Sequence, residues 1–266
     1  MVDISKIDYS TLDRPEILAL LFHPRPEWSE TKIGGAFEDL LIPVEKEVVI
    51  GSRFHLAGRS MPNILFFHGN GEIVADYDDL GHIYRSMGIN FLPVDYRGYG
   101  RSTGEPTITA MMRDSHVIFN FVTDRLAERG YNGPFFVMGR SLGSASALEI
   151  SSHYADLIDG LIIESGFANI RPLLELLGVN MEALGIREEE GVRNIDKIRG
   201  FEKPALIIHA ENDHIIPYSE GQALYEACAA QDKRLLKIPD ADHNNIFFKG
   251  MSEYMEAIKE LIERVK

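Results

Sequence analysis

Short runs of apolar residues recur along the chain, and most of them lack polar–apolar alternation. Alternation marks a strand with one solvent-facing side, whereas strands covered on both faces have an unbroken apolar pattern. Two early segments, at residues 40–50 and 51–57, are predicted to be extended. The later runs predict six buried strands, at residues 63–67, 89–94, 134–138, 161–163, 205–209 and 235–238.

Helical patterns separate most of these strands. A short one covers residues 15–22, and longer ones predict helices at 111–129, 142–154, 219–230 and 252–265. Strand–helix alternation is typical of an α/β fold with a mostly parallel, doubly wound sheet. The two early extended segments would then be antiparallel edge strands. No repeat or long linker divides the chain, so residues 1–266 are predicted to form a single domain.

One interval, residues 167–201, carries more helical pattern than a single crossover connection needs. It predicts helices at 171–177 and 181–190, and we interpret the interval as a small helical cap above the sheet. The alternative is an ordinary crossover helix with a solvated acidic face. In the cap, apolar side chains are expected to face inward and acidic ones outward, namely Leu173, Leu174, Leu176, Leu177 and Val179 against Glu188, Glu189 and Glu190.

A possible nucleophile lies in the segment Gly139-Arg140-Ser141-Leu142-Gly143, between a predicted strand and a predicted helix. This is the strand–turn–helix context in which the G-x-S-x-G nucleophile elbow occurs. Glycines let the two backbones approach closely, and the serine itself takes a strained conformation. The helix N-terminus that follows favours negative charge nearby. The pattern therefore predicts Ser141 as a nucleophile.

The proposed nucleophile needs a base and an acid. A serine hydroxyl reacts when an imidazole removes its proton and a carboxylate orients that imidazole. In proteins with this type of nucleophile elbow, these residues follow in the order Ser, Asp, His. Asp213 lies just past the strand at 205–209, and His243 lies in the loop after the strand at 235–238. We predict these two as acid and base; the rival acids are Glu164, Glu211, Asp240 and Asp242.

A glycine-containing loop, His68-Gly69-Asn70-Gly71-Glu72, follows the strand at 63–67. In this position a backbone N–H stabilises the oxyanion, together with the N–H of the residue after the nucleophile. We assign these donors to Asn70 and Leu142 and expect His68 to support the loop. A phosphate-binding loop is the alternative, but neither G-x-G-x-x-G nor G-x-x-x-x-G-K-[ST] is present.

The other histidines show no metal-ligand spacing such as H-E-x-x-H, so no metal is predicted. Each is expected to be a packed or surface residue: His23, His55, His82, His116, His153 and His209. The single cysteine, Cys228, allows neither an internal disulfide nor a cysteine metal cluster.

The net charge of the chain limits the classes of partner that it can be expected to bind. The formal net charge is −14, which disfavours nucleic acid and anionic membrane surfaces because these bind clustered Lys and Arg. A neutral or cationic small-molecule or acylated substrate is expected instead. The N-terminus lacks a signal-peptide pattern, and no apolar stretch approaches the ~20 residues that span a membrane. A cytoplasmic location is predicted.

Together these motifs resemble the α/β-hydrolase superfamily over nearly the whole chain. Segments 66–71, 94–103, 138–143 and 209–217 are most similar to the serine-hydrolase branch that contains Bem46-like proteins and small acyl-protein thioesterase relatives. The resemblance implies cleavage of an ester, thioester or amide through an acyl-enzyme, without metal or cofactor. It also implies structural roles for Asp95 and Arg97. The short cap differs from the large lids of lipases, so emulsified triglyceride is not expected as substrate.

Three functions fit this pattern. The first is hydrolysis of carboxylic esters or thioesters of small to medium acyl groups, with Leu173 and Leu177 of the cap against the acyl group. The second is a peptidase or amidase of the same fold, since amide and ester cleavage share the triad. The third is a hydrolase-like binding protein without turnover, against which the complete Ser–Asp–His set argues.

Overall fold

Eight strands form one central sheet in the computed structural model, which describes residues 6–28 and 37–265. Antiparallel pairing joins the first two strands to each other and the second to the fourth, and all other neighbours are parallel. Their order across the sheet is β1-β2-β4-β3-β5-β6-β7-β8. The strands are β1 Glu38–Glu45, β2 Val48–Phe54, β3 Asn63–Phe67, β4 Asn90–Val94, β5 Phe135–Arg140, β6 Gly160–Glu164, β7 Ala205–Ala210 and β8 Lys233–Ile238.

The predicted fold class is confirmed by this sheet, including its antiparallel N-terminal edge. At the centre, Phe67 at the end of β3 pairs with Val94 of β4 on one side and with Gly139 of β5 on the other. Parallel strands in this register bring their carboxyl ends to the same edge of the sheet. Loops that follow β3, β5, β7 and β8 therefore start from a common edge, where ligands bind in open α/β sheets.

Helices cover both faces of the sheet. In β3, Leu65 and Phe67 pack in one core layer, while Ile64 and Phe66 pack in the other. This division explains why the buried strands are apolar at every position. The helices are α1 Pro15–Leu21, α2 Asp78–Ser86, α3 Ile108–Glu128, α4 Gly143–His153, α5 Arg171–Leu176, α6 Asn194–Ile198, α7 Tyr218–Ala227 and α8 Ile246–Val265. Side chains of α2 and α8 lie in the second layer, and those of α1, α3, α4, α5, α6 and α7 lie in the first.

Several element boundaries differ from the predicted ones. The two early strands meet at residues 46–47 rather than 50–51, because Glu47 has a left-handed φ of 64° and makes the turn. Helix α3 begins at Ile108 instead of 111, since the Thr107 side chain caps it by accepting from the N–H of Ala110. Helix α8 starts at Ile246 and is kinked at Gly250, so the pattern at 252–265 covers only its second part. Helices α2 and α6 have no counterpart among the predicted helices.

Residues 167–201 differ most from prediction. The first predicted helix is present as α5, but 181–190 contains turns and a short 3₁₀ helix, Glu188–Glu190, with Gly185 at a left-handed φ of 68°. Leu176 was predicted to face inward, yet 55 % of it is exposed. Glu188 was predicted to face outward, yet it is partly buried and accepts from the N–H groups of Ile170 and Arg171. A carboxylate at a helix start satisfies N–H groups that have no partner within the helix, which explains its inward position. The division into one domain with a cap stays a prediction.

Candidate active site

Ser141 lies between the end of β5 and the start of α4, with a left-handed φ of 51°. A Cβ on Gly139 would lie 2.4 Å from the Gly143 carbonyl oxygen, and a Cβ on Gly143 would lie 2.2 Å from that of Phe67. Both contacts are too close for a side chain, so this turn requires glycine at both positions. The predicted elbow geometry is therefore present, and it strains a non-glycine residue at its centre.

The three residues predicted as a triad lie together at the carboxyl edge of the sheet. His243 Nε2 lies 2.9 Å from Ser141 Oγ, and His243 Nδ1 lies 2.7 Å from Asp213 Oδ2. All three residues are buried. These distances allow proton transfer between hydroxyl and imidazole and an oriented imidazole–carboxylate pair.

Asp213 is kept ionised by its surroundings. Its Oδ1 accepts from the backbone N–H groups of Ile215 and Ile216, at 3.0 and 2.8 Å. Burial by itself would raise the pKa of the Asp213 carboxyl, but hydrogen bonding and charge from His243, together with the Ile216 N–H, lower that pKa below its usual value. The carboxylate can therefore stabilise positive charge on His243.

A second histidine, His209, lies beside the same carboxylate and was not predicted to belong to the site. It is the penultimate residue of β7. Its Nε2 donates to the Ile216 carbonyl oxygen at 2.8 Å, and the same nitrogen is 3.5 Å from Asp213 Oδ2. Burial lowers the pKa of His209, which favours a neutral ring. The sequence signal that could have indicated this contact is the position of His209, on the strand four residues before Asp213.

Arg140, the residue before Ser141, is buried and contacts the loop that carries His243. Its Nη2 donates to the main-chain carbonyl oxygen of His243 at 3.0 Å. Its Nε donates to Glu72 at 2.9 Å, and its Nη1 donates to Glu164 at 3.0 Å. One guanidinium therefore links the loop after β3, the end of β6 and the loop that carries His243. Sequence reasoning treated Arg140 only as the variable position of the elbow.

The two carboxylates around Arg140 are further restrained. Glu164 accepts from the Tyr254 hydroxyl at 2.6 Å, and Glu72 accepts from the Gly69 N–H and the Tyr77 hydroxyl. Burial raises the pKa of Glu164, while burial of Glu72 is outweighed by the charge of Arg140 and the Tyr77 hydrogen bond, which lower its pKa. Such a network fixes the positions of the loops it joins.

The rival acids have other partners. Glu164 is bonded to Arg140 and Tyr254, as above, and Glu211 pairs with Lys237 at 2.6 Å. Asp242 accepts from the N–H groups of Asn244 and Asn245 in the histidine loop, and Asp240 is exposed. Of the acids considered, Asp213 is the one within hydrogen-bond distance of the His243 ring.

Asn70 and Leu142, the predicted oxyanion donors, belong to two segments that touch. A Cβ on Gly143 would come within 2.6 Å of the His68 carbonyl oxygen, so the start of α4 packs against the end of β3. The Asn70 side chain accepts from the Tyr99 hydroxyl at 2.6 Å and from the His23 N–H at 2.9 Å. These bonds restrain the loop that carries Asn70.

His68, Asp95 and Arg97, which were expected to have structural roles, bond to neighbouring loops and helices. His68 is fully buried, with Nδ1 2.7 Å from the Gly69 carbonyl oxygen and Nε2 3.2 Å from Asp95. Asp95 also accepts from the Val74 N–H at 2.9 Å. Arg97 makes two bonds to Asp114, at 2.6 and 2.9 Å. The contacts of Asp95 join the loops after β3 and β4, and the Arg97–Asp114 pair joins the loop after β4 to α3.

A cavity of about 330 Å³ lies beside Arg140 and Asn244, the chain neighbours of Ser141 and His243. Its apolar wall combines α2 with the start of α8 and comprises Leu80, Ile83, Ile246, Phe247 and Met251. Leu173 and Leu177 do not line this cavity. Leu173 is buried in the first core layer, and Leu177 is half-buried against that layer.

Comparison with known proteins identifies relatives of this chain. The family model Hydrolase_4, described as "Serine aminopeptidase, S33", matches residues 59–187, which include Ser141 but end before Asp213 and His243. Lysophosphatidylserine lipase ABHD12 of Danio rerio is 31 % identical over 66 % of this chain and 49 % of its own. Protein bem46 of Schizosaccharomyces pombe is 26 % identical over 70 % of this chain and 62 % of its own.

The fold also matches solved structures. The Pyrococcus furiosus esterase Pf2001 superposes with a TM-score of 0.74 at 18 % identity, over 91 % of this chain and 98 % of that one. The match to the two curated relatives covers about half to three fifths of their lengths. Among the described residues, no helix combines the length and apolarity needed to cross a membrane. The chain belongs to the α/β-hydrolase superfamily, in the serine-hydrolase branch that contains the Bem46-like proteins.

Proposed function

We propose that the protein hydrolyses carboxylic esters or thioesters of small to medium acyl groups. Ser141 is the nucleophile, His243 the general base and Asp213 the carboxylate that orients the base. The hydrogen-bonded series from Ser141 Oγ through His243 to Asp213, with distances of 2.9 and 2.7 Å, is the observation that carries this proposal.

The reaction proceeds in two halves. His243 Nε2 accepts the hydroxyl proton as Ser141 Oγ attacks the substrate carbonyl carbon, and Asp213 stabilises the imidazolium that forms. The tetrahedral intermediate collapses, His243 gives the proton to the leaving alcohol or thiol, and the acyl group stays on Ser141. Water then attacks the acyl-enzyme with His243 again as base, which releases the acid and restores the serine.

The N–H groups of Asn70 and Leu142 are proposed to stabilise the oxyanion in both halves. The first turn of a helix has N–H groups without intrahelical partners, and Leu142 is the residue before α4. Contact between that turn and the β3 loop supports a shared site for the two donors. A backbone donor in a buried site is effective because its dipole is fixed before the reaction.

Two surfaces are candidates for the acyl group. One is the cap pair Leu173 and Leu177; the other is the apolar wall of the 330 Å³ cavity beside Arg140. Cavities of about 300–1,000 Å³ accommodate small-molecule ligands. The lysophosphatidylserine lipase relatives support an ester of a fatty acid as the substrate class.

A peptidase or amidase is the second candidate, favoured by the description of the matching family model. An aminopeptidase needs a carboxylate for the substrate amine. Glu72 and Glu164 line the cavity, but both are bonded to Arg140 and to a tyrosine hydroxyl. Because these carboxylates are already paired, the ester or thioester is the better-supported substrate.

Initial rates on p-nitrophenyl esters from acetate to decanoate, matching acyl thioesters and a peptide anilide test the proposal. We expect ester or thioester turnover in the wild type and a fall in kcat of about 10⁶-fold in Ser141→Ala. Ser146→Ala is the matched control, because the Ser146 hydroxyl is buried on α4 without a hydrogen-bond partner among the described residues. Its rates should equal those of the wild type.

Three outcomes would contradict the proposal. Equal activity in Ser141→Ala would exclude this nucleophile. Faster cleavage of the anilide than of any ester would establish the amidase. Absence of turnover on every substrate, together with no labelling of Ser141 by a fluorophosphonate, would leave a binding protein with a hydrolase fold.

A further inference from the structure

Two histidines and a glutamate meet on α3 and α4, away from the proposed catalytic residues. His116 belongs to α3, whereas Glu149 and His153 lie one turn apart on α4. One potential ligand atom from each of the three lies within 4.8 Å of the others. With a rise of 1.5 Å per residue, the far end of α4 is ~15 Å from its start beside Ser141.

The carboxylate of Glu149 directs one of its two oxygens toward the histidines. Its Oε2 accepts from the Tyr9 hydroxyl at 2.6 Å and lies 2.8 Å from Lys197 Nζ. Its Oε1 lies 3.1 Å from His116 Nε2 and 3.9 Å from His153 Nδ1. Tyr9 and Lys197 therefore restrain the buried carboxylate through Oε2. Its other oxygen, Oε1, faces the two imidazoles.

The imidazoles are positioned by further contacts. The Tyr154 hydroxyl is 3.2 Å from His116 Nδ1, the nitrogen remote from Glu149. His153 Nδ1 also lies 3.0 Å from the main-chain carbonyl oxygen of Glu149. Histidines that bind metals usually have a partner on the nitrogen remote from the ion, and the Tyr154 hydroxyl is such a partner for His116. Because a carbonyl oxygen only accepts, His153 Nδ1 donates to Glu149, which fixes the ring and leaves the lone pair of Nε2 for an ion. About a quarter of each imidazole side chain is exposed, 26 % for His116 and 24 % for His153, so solvent reaches the cluster.

We propose that His116, Glu149 and His153 form a site for a divalent transition-metal ion, with Zn²⁺ as the best fit. Two imidazoles and one carboxylate are nitrogen and oxygen ligands that suit zinc, whereas Mg²⁺ and Ca²⁺ prefer oxygen alone. The ion replaces the hydrogen-bonded contact between His116 and Glu149, and water completes its coordination on the exposed side. A metal here connects α3 to α4 and stabilises the fold; it takes no part in ester cleavage.

Two measurements on the metal-stripped full chain test the site. Isothermal titration calorimetry measures zinc binding, and thermal unfolding with and without zinc measures the effect on Tm. We expect one zinc ion per chain and a higher Tm with zinc. His116→Gln and His153→Gln should each weaken binding at least tenfold and lose the rise in Tm. Tyr154→Phe removes only the partner of His116 and should weaken binding by about tenfold. His82→Gln, an exposed histidine on α2 across the sheet, is the matched control and should bind as the wild type does.

Other results would overturn the proposal. No zinc binding by the wild type would do so, as would unchanged binding in the double variant His116→Gln/His153→Gln. Loss of binding in His243→Gln alone would assign the ion to the proposed catalytic histidine. X-ray absorption of the zinc-loaded wild type requires no variant; a spectrum without two nitrogen ligands at about 2.0 Å would also overturn the site.

Discussion

Asp213 and Glu149 are both buried carboxylates beside histidines, yet their surroundings differ. Asp213 lies in a loop, where two backbone N–H groups bind one oxygen and His243 contacts the other. Glu149 lies within a helix, whose backbone N–H groups are already used, so its second oxygen is bonded by side chains of Tyr9 and Lys197. Loop placement satisfies a carboxylate with main-chain donors, whereas helix placement requires other side chains to do so.

The partner of the ring nitrogen that points away from the carboxylate also differs between His243 and His116. The remote nitrogen of His243 faces the Ser141 hydroxyl, which a strained turn holds at the carboxyl edge of the sheet. The remote nitrogen of His116 faces the phenol of Tyr154 on the same helical layer. In our proposals, the His243–Asp213 pair serves nucleophilic chemistry because its remote nitrogen faces a serine hydroxyl. The remote nitrogen of His116 faces a tyrosine hydroxyl, which can orient the ring for metal binding.

Asp213→Asn gives the largest expected effect on this comparison. An amide cannot stabilise the imidazolium and selects the wrong tautomer of His243, so kcat should fall by about 10⁴-fold. Ester hydrolysis under saturating substrate measures it. Glu149→Gln is the parallel change, and its folded protein should keep the wild-type kcat. A similar loss of kcat in both variants would contradict separate roles.

Glu149→Gln should instead lower the free energy of unfolding, by about 3 kcal/mol, because it leaves Lys197 buried without its charge partner. Burial opposes ionisation, but His116, Lys197 and Tyr9 lower the pKa of Glu149 from 4.5 to about 2. A lowered pKa stabilises the fold above the unfolded-state value and is lost as pH falls through the folded-state value. Denaturant titrations should show the wild-type advantage shrinking between pH 4.5 and about 2; a constant difference across that range would argue against this pair.

Arg140→Gln should lower kcat by about 10²-fold through misplacement of the histidine loop, since the guanidinium bonds to the His243 carbonyl oxygen. Arg140→Lys keeps the charge, but its single nitrogen cannot reach the three acceptors that the guanidinium contacts through three nitrogens, so it should recover activity only in part. Arg234→Gln removes an arginine that pairs with Glu260 at a half-exposed position and serves as control. An effect on KM alone, with kcat intact, would assign Arg140 to substrate binding instead of positioning.

The smallest expected effect separates the two acyl surfaces. If the cap binds the chain, Leu177→Asp should raise KM several-fold for octanoate and decanoate esters and leave acetate unchanged, because each buried CH₂ contributes about 0.8 kcal/mol. Met251→Asp makes the same test of the cavity wall. The variant whose KM rises with acyl chain length identifies the surface that binds the acyl group. If both variants keep the KM values of the wild type, both surfaces would be excluded.

The sheet and the grouping of Ser141, Asp213 and His243 followed from sequence because each leaves a local signal. A strand buried on both faces is apolar throughout, and the elbow needs glycines at fixed spacing. The Arg140 network left no such signal: Glu72, Arg140 and Glu164 come from three separate segments that meet only through the strand order β3-β5-β6. The turn at Glu47 likewise depends on one backbone angle rather than on a hydrophobic period.

The segment 167–201 was predicted less well for a related reason. Its apolar spacing predicts helices at 171–177 and 181–190, but a left-handed glycine at 185 interrupts the second. Glu188 then turns inward because the start of α5 offers unpaired N–H groups, a tertiary effect that overrides its polarity. Similarly, His116 is separated from Glu149 by 33 positions, so a search for contiguous ligand motifs does not find them.

The sheet that divides the core into two layers has a consequence for how sequence change accumulates in this fold. Leu148 of α4 and Ile258 of α8 belong to different layers, with the backbone of the strands between them. Distant substitutions without shared partners act almost independently on stability. Each layer can therefore drift or be redesigned on its own, with the energetic effects of the two sets adding, while residues at the carboxyl ends of the strands have to suit both layers.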